Sequence, residues 1–172
     1  NVYEGLALLK QHQCDGVLSF GGGSSIDTGK GIAVMAGNQG QISDYMGYYR
    51  IPNKGLPHFA IPTTAGTGSE MTRVTVITDT TRHIKMMMLD PHLTPSAAFV
   101  DYTLTFSMPK TLTAHVGVDT LTHGIEAYIS RKANLMTDVF ALSCIRLTGQ
   151  HLEQAWRHPD DASAREGMMM AA

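Results

Sequence analysis

The sequence of 172 residues predicts an α/β domain with an open sheet, followed by the start of an all-helical domain. Two short apolar runs each end in a glycine-rich loop, and the first of these loops leads into a helical pattern. A strand that passes through a glycine loop into a helix is typical of α/β proteins. After Pro109 helical periodicity continues with little strand signal. We therefore predict two domains, residues 1–108 and residues 109–172.

The first elements of the α/β domain follow from periodicity and turn residues. Residues 2–13 place apolar side chains at helical spacing, and residues 17–20 form a short apolar strand that is followed by a loop of three glycines at 21–23. A second helix begins after these glycines. We expect Ser24 and Ser25 to cap it and Asp27 to interact favourably with the helix dipole in its first turn.

The remaining strands of this domain are short. Residues 58–61 read as a second buried strand, which is followed by a loop rich in glycine and threonine at 62–70. Residues 74–78 and 84–88 are rich in β-branched and apolar side chains and are separated by a polar turn, which predicts a hairpin. Residues 97–101 predict one more short strand.

Composition excludes several classes of protein. The chain carries 13 basic and 15 acidic residues, a formal net charge of −2 and a pI near 6.5. This balance does not favour binding to nucleic acid or to anionic membranes, and we expect neither partner. No apolar stretch approaches the roughly 20 residues of a transmembrane helix. Cys14 and Cys144 lie far apart in the sequence, which indicates no disulfide framework and favours the cytoplasm.

Both ends of the sequence resemble the interior of a longer protein. The chain starts at Asn1 without a methionine or a signal pattern and runs directly into an amphipathic helix. It stops at Ala172 within another helical pattern. We expect an internal fragment that lacks earlier strands of the sheet and later helices.

The first glycine loop is a candidate phosphate-binding site. Glycines let the backbone approach a pyrophosphate, and the amides at a helix start favour anions. The loop is not a P-loop, because Ser24 occupies the first glycine position and Gly31 follows the lysine. Ile26 likewise replaces the third glycine of the Rossmann fingerprint. A tight strand-to-helix turn is the alternative, but a second such loop after the next strand favours a shared binding crevice.

An acid and an imidazole open the helical region. Asp119 and His123 are four residues apart, so on a helix they share a face and can bind one metal ion. An oxygen and a nitrogen ligand suit Fe²⁺ or Zn²⁺. The alternative is a hydrogen-bonded pair on the helix surface. His115 could join the same face, although Gly117 weakens the case for a continuous helix.

Four segments, in this order and spacing, resemble the iron-containing (group III) alcohol dehydrogenase family. The resemblance covers nearly the whole chain and is nearest in type to lactaldehyde reductase and 1,3-propanediol dehydrogenase. The segments are GGGSSIDTGK at 21–30, IPTTAGTGSE at 61–70, Asp90-Pro91, and GVDTLTHGIEAY at 117–128.

The resemblance implies a Rossmann-like open sheet and a metal-binding helical domain. It implies hydride transfer between NAD, or NADP, and a small primary alcohol or aldehyde, with Fe²⁺, or Zn²⁺, as the metal. Asp119 and His123 match the first two metal ligands. The resemblance implies two further histidine ligands beyond Ala172 and no catalytic residue separate from the ligands. The matching cofactor positions are Gly22, Gly23, Ser24, Thr63, Thr64, Thr72, Val76, Lys85 and Leu104.

Two alternatives remain open at this point. The first is a metal enzyme similar to glycerol dehydrogenase or dehydroquinate synthase, and the second is a non-catalytic nucleotide-binding module. In the dehydrogenase interpretation we expect the full-length protein to be a homo-oligomer. The present chain alone should be inactive, because it holds only part of the metal site.

Overall fold

The computed structural model describes all 172 residues, which form two compact units. The first, called the sheet unit, comprises Asn1–Pro62 and Ser69–Phe99. The second, called the helical unit, comprises Thr63–Gly68 and Val100–Ala172. The units therefore divide after Phe99, and the loop after the second buried strand groups with the helices.

Five α-helices and six strands make up the chain, together with short 3₁₀ turns. The helices are α1 (Val2–Gln11), α2 (Gly23–Gly37), α3 (Lys110–Ile129), α4 (Leu135–Arg157) and α5 (Ala162–Ala171). The strands are β1 (Val17–Gly21), β2 (Gly47–Tyr48), β3 (His58–Pro62), β4 (Val74–Asp79), β5 (Ile84–Leu89) and β6 (Ala97–Ala98).

The sheet unit contains two three-stranded sheets. In the first, the order is β1-β3-β6 and all pairs are parallel. Gly21 pairs with Pro62, so β1 and β3 end at the same edge of the sheet. In the second, the order is β2-β5-β4, with β4 and β5 forming the predicted antiparallel hairpin. The α/β class is confirmed, and β2 is a two-residue strand that the sequence did not predict.

The start of α2 differs from the predicted capping pattern. Gly22 is the N-cap, in an extended conformation, and no side chain caps the helix. Ser24 and Ser25 lie within the helix instead of at its cap, and Asp27 lies beyond the first turn. Both capping predictions are therefore wrong, because the glycines allow the helix to begin one residue before the serines.

One hydrophobic core holds the sheet unit together. It joins side chains of α1 and α2 to the inner face of the β2-β5-β4 sheet, and the two buried methionines of β5 fill space in it. Burial of such apolar surface is the main stabilising term of the unit. The core residues are Val2, Leu6, Val34, Met35, Ile42, Tyr45, Ile51, Met86, Met88 and Leu93.

The helical unit is built on α3, which runs without a break through Gly117. That glycine does not interrupt the helix, because it is where Leu152 of α4 packs against α3: a Cβ on Gly117 would lie 2.2 Å from Leu152 Cδ1. The loop 63–68 also packs on α3, since a Cβ on Gly66 would lie 2.4 Å from Val116 Cβ. None of the helices has the combination of length and apolar character that crossing a membrane requires.

Candidate functional site

The glycine turn between β1 and α2 needs glycine for steric reasons. Gly21 has φ +150°, and a Cβ there would lie 2.6 Å from Ser25 Oγ. Gly22 is the N-cap of α2 and has no side chain. The first backbone amides of α2 therefore have no side-chain acceptor. These amides and the positive end of the helix dipole together favour an anion at this turn.

A cavity of about 590 Å³ in the sheet unit lies beside the first turns of α2. A cavity of this volume is in the range of small-molecule sites. It contains two of the predicted cofactor residues, one from α2 and one from β4. Its lining includes Ser24, Thr28, Ser43, Val76, Thr78 and Thr81.

The β4-β5 hairpin places Val76 and Lys85 on one face. Thr78 pairs with Lys85 and Val76 with Met87, so Val76 and Lys85 are diagonal neighbours on the same side of the sheet. Both side chains are exposed. Thr72 lies just before β4 and is half-buried, and its Oγ1 accepts a hydrogen bond from Lys30 Nζ at 3.2 Å. The structure thus brings Ser24 and Val76 to one cavity, and Lys85 lies outside its lining on the same face of the hairpin as Val76.

Lys30 is a buried lysine on α2 that the sequence analysis did not assign to the site. Its exposed fraction is 1%. Its Nζ donates to Thr72 O at 2.9 Å and to Val74 O at 2.7 Å, in addition to Thr72 Oγ1. Burial lowers the pKa of Lys30 to about 8, against the opposing attraction of Asp27 and Glu70. The available signal was its position between Ile26 and Ala33 on the apolar face of α2, where a lysine needs acceptors.

Asp27 joins the same helix to the start of β4. Its Oδ1 accepts a hydrogen bond from Ser69 Oγ at 2.5 Å, and its Oδ2 accepts one from the Val76 amide at 3.0 Å. The Thr75 hydroxyl donates to Asp27 O at 2.9 Å. Nearby Glu70 is buried, and burial raises the pKa of its carboxyl group. Asp27 therefore acts through long-range hydrogen bonds instead of through the helix dipole.

Three predicted cofactor residues belong to the helical unit. Thr63 and Thr64 are half-buried in the loop that follows β3. Leu104 is half-buried in the 3₁₀ turn Tyr102–Thr105. The loop is fixed within its own unit, since the Thr120 hydroxyl lies 3.4 Å from Gly66 O. These three residues therefore belong to a different compact unit from the glycine turn.

Asp119 and His123 lie side by side on α3. The Asp119 Oδ1 to His123 Nε2 distance is 3.8 Å, and the two side chains are 48% and 47% exposed. This distance exceeds the range of a hydrogen bond. The two side chains therefore do not form the hydrogen-bonded surface pair that is the alternative to a metal site. His115 is exposed one turn earlier. No group of three or more histidine, cysteine or acidic side chains in the chain is arranged to hold a metal.

The residues present fit the groups that the resemblance implies. The glycine turn and uncapped helix start suit a pyrophosphate, which needs close backbone approach and N–H donors. An exposed carboxylate and imidazole one helical turn apart supply the oxygen and nitrogen donors that Fe²⁺ or Zn²⁺ accepts. These are two of the ligands that such a site needs, and a catalytic site commonly has at least three from the protein.

Comparison with protein families matches almost the whole chain to one family. Residues 1–102 match the model described as iron-containing alcohol dehydrogenase. Residues 113–172 match the model described as Fe-containing alcohol dehydrogenase family, C-terminal. The two matches follow one another in the order of the two predicted domains.

Three similar proteins illustrate the likeness. Alcohol dehydrogenase 4 of Schizosaccharomyces pombe is 46% identical and is matched over 99% of this chain and 40% of its own length. The NAD-dependent methanol dehydrogenase of Bacillus methanolicus is 44% identical over 99% of this chain and 45% of its own. Sulfoacetaldehyde reductase from Bifidobacterium kashiwanohense, solved in complex with NAD⁺, is 35% identical with a TM-score of 0.93 over 99% of this chain and 46% of its own. The present chain thus spans less than half the length of these proteins.

Proposed function

The chain belongs to the iron-containing alcohol dehydrogenase family, and from that premise we propose that the polypeptide carrying it transfers a hydride between NAD(P) and a small primary alcohol or aldehyde. The observation that carries this proposal is the exposed Asp119–His123 pair, one turn apart on a continuous α3. The glycine turn before α2 adds a place for a dinucleotide in the same chain. NAD in two of the similar proteins supports the choice of cofactor.

In this proposal each group of residues has a defined task. The backbone at Gly22, Gly23 and Ser24 binds the cofactor phosphates, because the helix start offers N–H donors without a competing cap. Asp119 and His123 hold Fe²⁺, or Zn²⁺, through one oxygen and one nitrogen atom. When bound, the divalent ion supplies Lewis-acid chemistry and the nicotinamide accepts the hydride.

The remaining cofactor residues orient the nucleotide. The exposed face of β4-β5 contributes Val76 and Lys85, and Thr72 stands at the start of this hairpin. From the helical unit we assign Thr63, Thr64 and Leu104 to the same cofactor on the basis of the family motif alone. In this arrangement residues 1–108 form the cofactor domain and residues 109–172 begin the metal domain.

We also propose a cytoplasmic homo-oligomer for the complete protein. The two cysteines, Cys14 and Cys144, are unpaired, which suits a reducing compartment. Large apolar side chains are exposed on the start of α4, including Leu135 at 87% and Phe140 at 70%. Such exposed apolar groups favour burial against further protein.

The test uses the complete natural polypeptide that carries these residues. We expect about one divalent ion per chain and NAD⁺ reduction in the presence of short primary alcohols. Asp119→Ala and His123→Ala should each lower metal content and reduce turnover by about a hundredfold or more, because each removes a ligand. His12→Ala removes an exposed imidazole at the end of α1, away from these ligands in the sequence, and is the control that should retain both.

Two results would contradict this proposal. The first is full metal content in both alanine variants, and the second is the absence of NAD(P)-linked turnover with every short primary alcohol. The 172-residue chain alone should bind metal weakly and show no turnover, since it offers two ligands. Alcohol oxidation by that isolated chain would show that the proposed ligand set is wrong.

A further inference from the structure

We propose that Lys30 and Asp27 are positioning residues for the cofactor: their side chains fix the free edge of β4 against α2, and so hold Thr72 and Val76 in place relative to the glycine turn. This inference rests on the proposed function, because it concerns the same dinucleotide. It adds a role for side chains that need not touch the cofactor themselves.

The geometry begins with the exposed edge of the second sheet. β4 is an outer strand in the order β2-β5-β4, so only one of its edges pairs with another strand. On the paired side, the Asp90 amide donates to Arg73 O at 3.0 Å. On the other side, the N–H and C=O groups of every second residue need hydrogen-bond partners from outside the sheet.

Side chains of α2 supply those partners in place of a strand. Lys30 Nζ donates to Thr72 O and Val74 O at 2.9 and 2.7 Å. Asp27 Oδ2 accepts from the Val76 amide at 3.0 Å. These two acceptors and one donor lie at every second residue of the chain, and side chains of one helix bond all three. The register of this edge is therefore set by α2.

A lysine suits this position because its ammonium group has three donors. The three acceptors around it are Thr72 O, Thr72 Oγ1 and Val74 O, so the buried charge is fully hydrogen-bonded. The carboxyl groups of Asp27 and Glu70 lie near enough to stabilise the positive charge. An ammonium group buried without such partners would be strongly destabilising.

The consequence for the cofactor follows from the rigidity of α2. The helix begins at Gly23, in the glycine turn, and carries Lys30 about two turns later. Ser24 of this helix and Val76 of β4 line the same cavity. Without the hydrogen bonds from Lys30, the β4 side of the cavity can shift while the α2 side stays fixed. Binding sites lose affinity when their supporting contacts loosen.

The experiment measures NADH affinity by calorimetry in the complete natural polypeptide, at a temperature well below its Tm. Lys30→Met keeps the length of the side chain and removes the ammonium group. We expect the Kd for NADH to rise about tenfold at unchanged stoichiometry, since several hydrogen bonds to charge are lost. Lys10→Met makes the same change at an exposed position of α1 and should leave the Kd unchanged.

A purely structural lysine would give a different result. It would lower Tm or the binding stoichiometry while the folded molecules keep the wild-type Kd, and that result would overturn the positioning role. A double variant with Thr72→Val provides a second readout. If Lys30 acts through this segment, the double variant should lose less affinity than the product of the two single effects, and full additivity would also overturn it.

Two further outcomes are decisive. If wild-type protein binds neither NADH nor NADPH, the proposed function and this inference both fail. If it binds one of them and Lys30→Met binds that cofactor equally well, only the positioning role fails. Should Lys30→Met not fold, Asp27→Asn decides, since it keeps the shape of the side chain and replaces one of the two oxygens that accept from Ser69 Oγ and from the Val76 amide. We expect about a threefold rise in Kd from this loss of one hydrogen bond, and an unchanged Kd would refute the inference.

Discussion

His58 is a buried histidine at the first position of β3, with an exposed fraction of 4%. Its Nε2 pairs with Ser19 Oγ at 2.8 Å, and its Nδ1 has no hydrogen-bond partner. Space beside this pair is limited, because a Cβ on Gly29 would lie 1.9 Å from Ser19 Oγ. Burial, with a smaller contribution from positive Lys30, lowers the pKa of His58 to about 4.

The lowered pKa predicts a loss of stability in mild acid. Well above pH 6.5 the imidazole is neutral in both the folded and the unfolded chain, and His58 does not lower the free energy of unfolding. As the pH falls from 6.5 towards 4, only the unfolded chain takes up the proton, so the free energy of unfolding decreases. Between pH 7 and pH 4.5 the decrease is about 2 kcal/mol from this group.

The measurement is urea unfolding at both pH values for wild type and His58→Gln. Glutamine retains an amide that can bond Ser19 and does not titrate. We expect the acid-induced loss of stability to be smaller in the variant. The same loss in both proteins would show that His58 is not the group responsible, and that carboxyl groups whose pKa is lowered on folding, such as Asp161, determine the acid sensitivity.

Among the secondary-structure elements, those with strong periodicity were predictable from the sequence. The α1 helix, the β4-β5 hairpin and the long helices after Pro109 appear where the spacing indicated. The capping of α2 was not predictable, because it depends on the backbone conformation of Gly22. The grouping of loop 63–68 with α3 also depends on a long-range contact, that of Gly66 with Val116.

Packing of the helices predicts opposite effects for two glycines of the helical unit. Gly66→Ala places a Cβ 2.4 Å from Val116 Cβ and 2.7 Å from Val116 O, and backbone cannot move away cheaply. We expect a destabilisation of about 2 kcal/mol. Gly149 lies within α4 with no atom within 4 Å of an added Cβ. Gly149→Ala should therefore stabilise the protein by about 1 kcal/mol through helix propensity.

Thermal or urea unfolding of the two variants beside wild type checks this pair. Both changes add one methyl group, so the opposite signs come from the close contact at Gly66 and from the helical backbone at Gly149. A neutral Gly66→Ala would mean that the loop does not approach α3 as closely as described. A destabilising Gly149→Ala would indicate that something covers this part of α4 in the molecule studied.

At the scale of the whole molecule, the sequence predicted the parts of the candidate site that lie within one short motif. It did not predict the parts that depend on contacts between residues far apart in the sequence. The glycine turn and the Asp119–His123 pair lie within single segments. Lys30 and Asp27 bond to residues more than 40 positions away, in Thr72 and Val76. A local pattern shows a lysine on an apolar helix face, but it does not show which carbonyl groups lie opposite that face.

The proposed phosphate-binding turn and the proposed metal ligands lie on different helices, which predicts that the effects of the two ligands can be separated by hydrogen exchange. NADH alone, added to the metal-free natural polypeptide, should protect amides at the start of α2 and along β4, where Ser24 and Val76 line the cavity. Zn²⁺ alone should protect α3 around Asp119 and His123. At a ligand concentration of 100 times Kd the protection corresponds to about 3 kcal/mol.

Mass spectrometry of peptides from the two regions reads out this difference. Asp119→Ala should abolish the protection of α3 by Zn²⁺ and leave the protection of α2 by NADH intact, because the residues lie on different elements. Protection of α2 by Zn²⁺ in this variant would place the metal at Asp27 and Glu70 instead. Protection of neither region by either ligand would remove both the glycine turn and the α3 pair from the site.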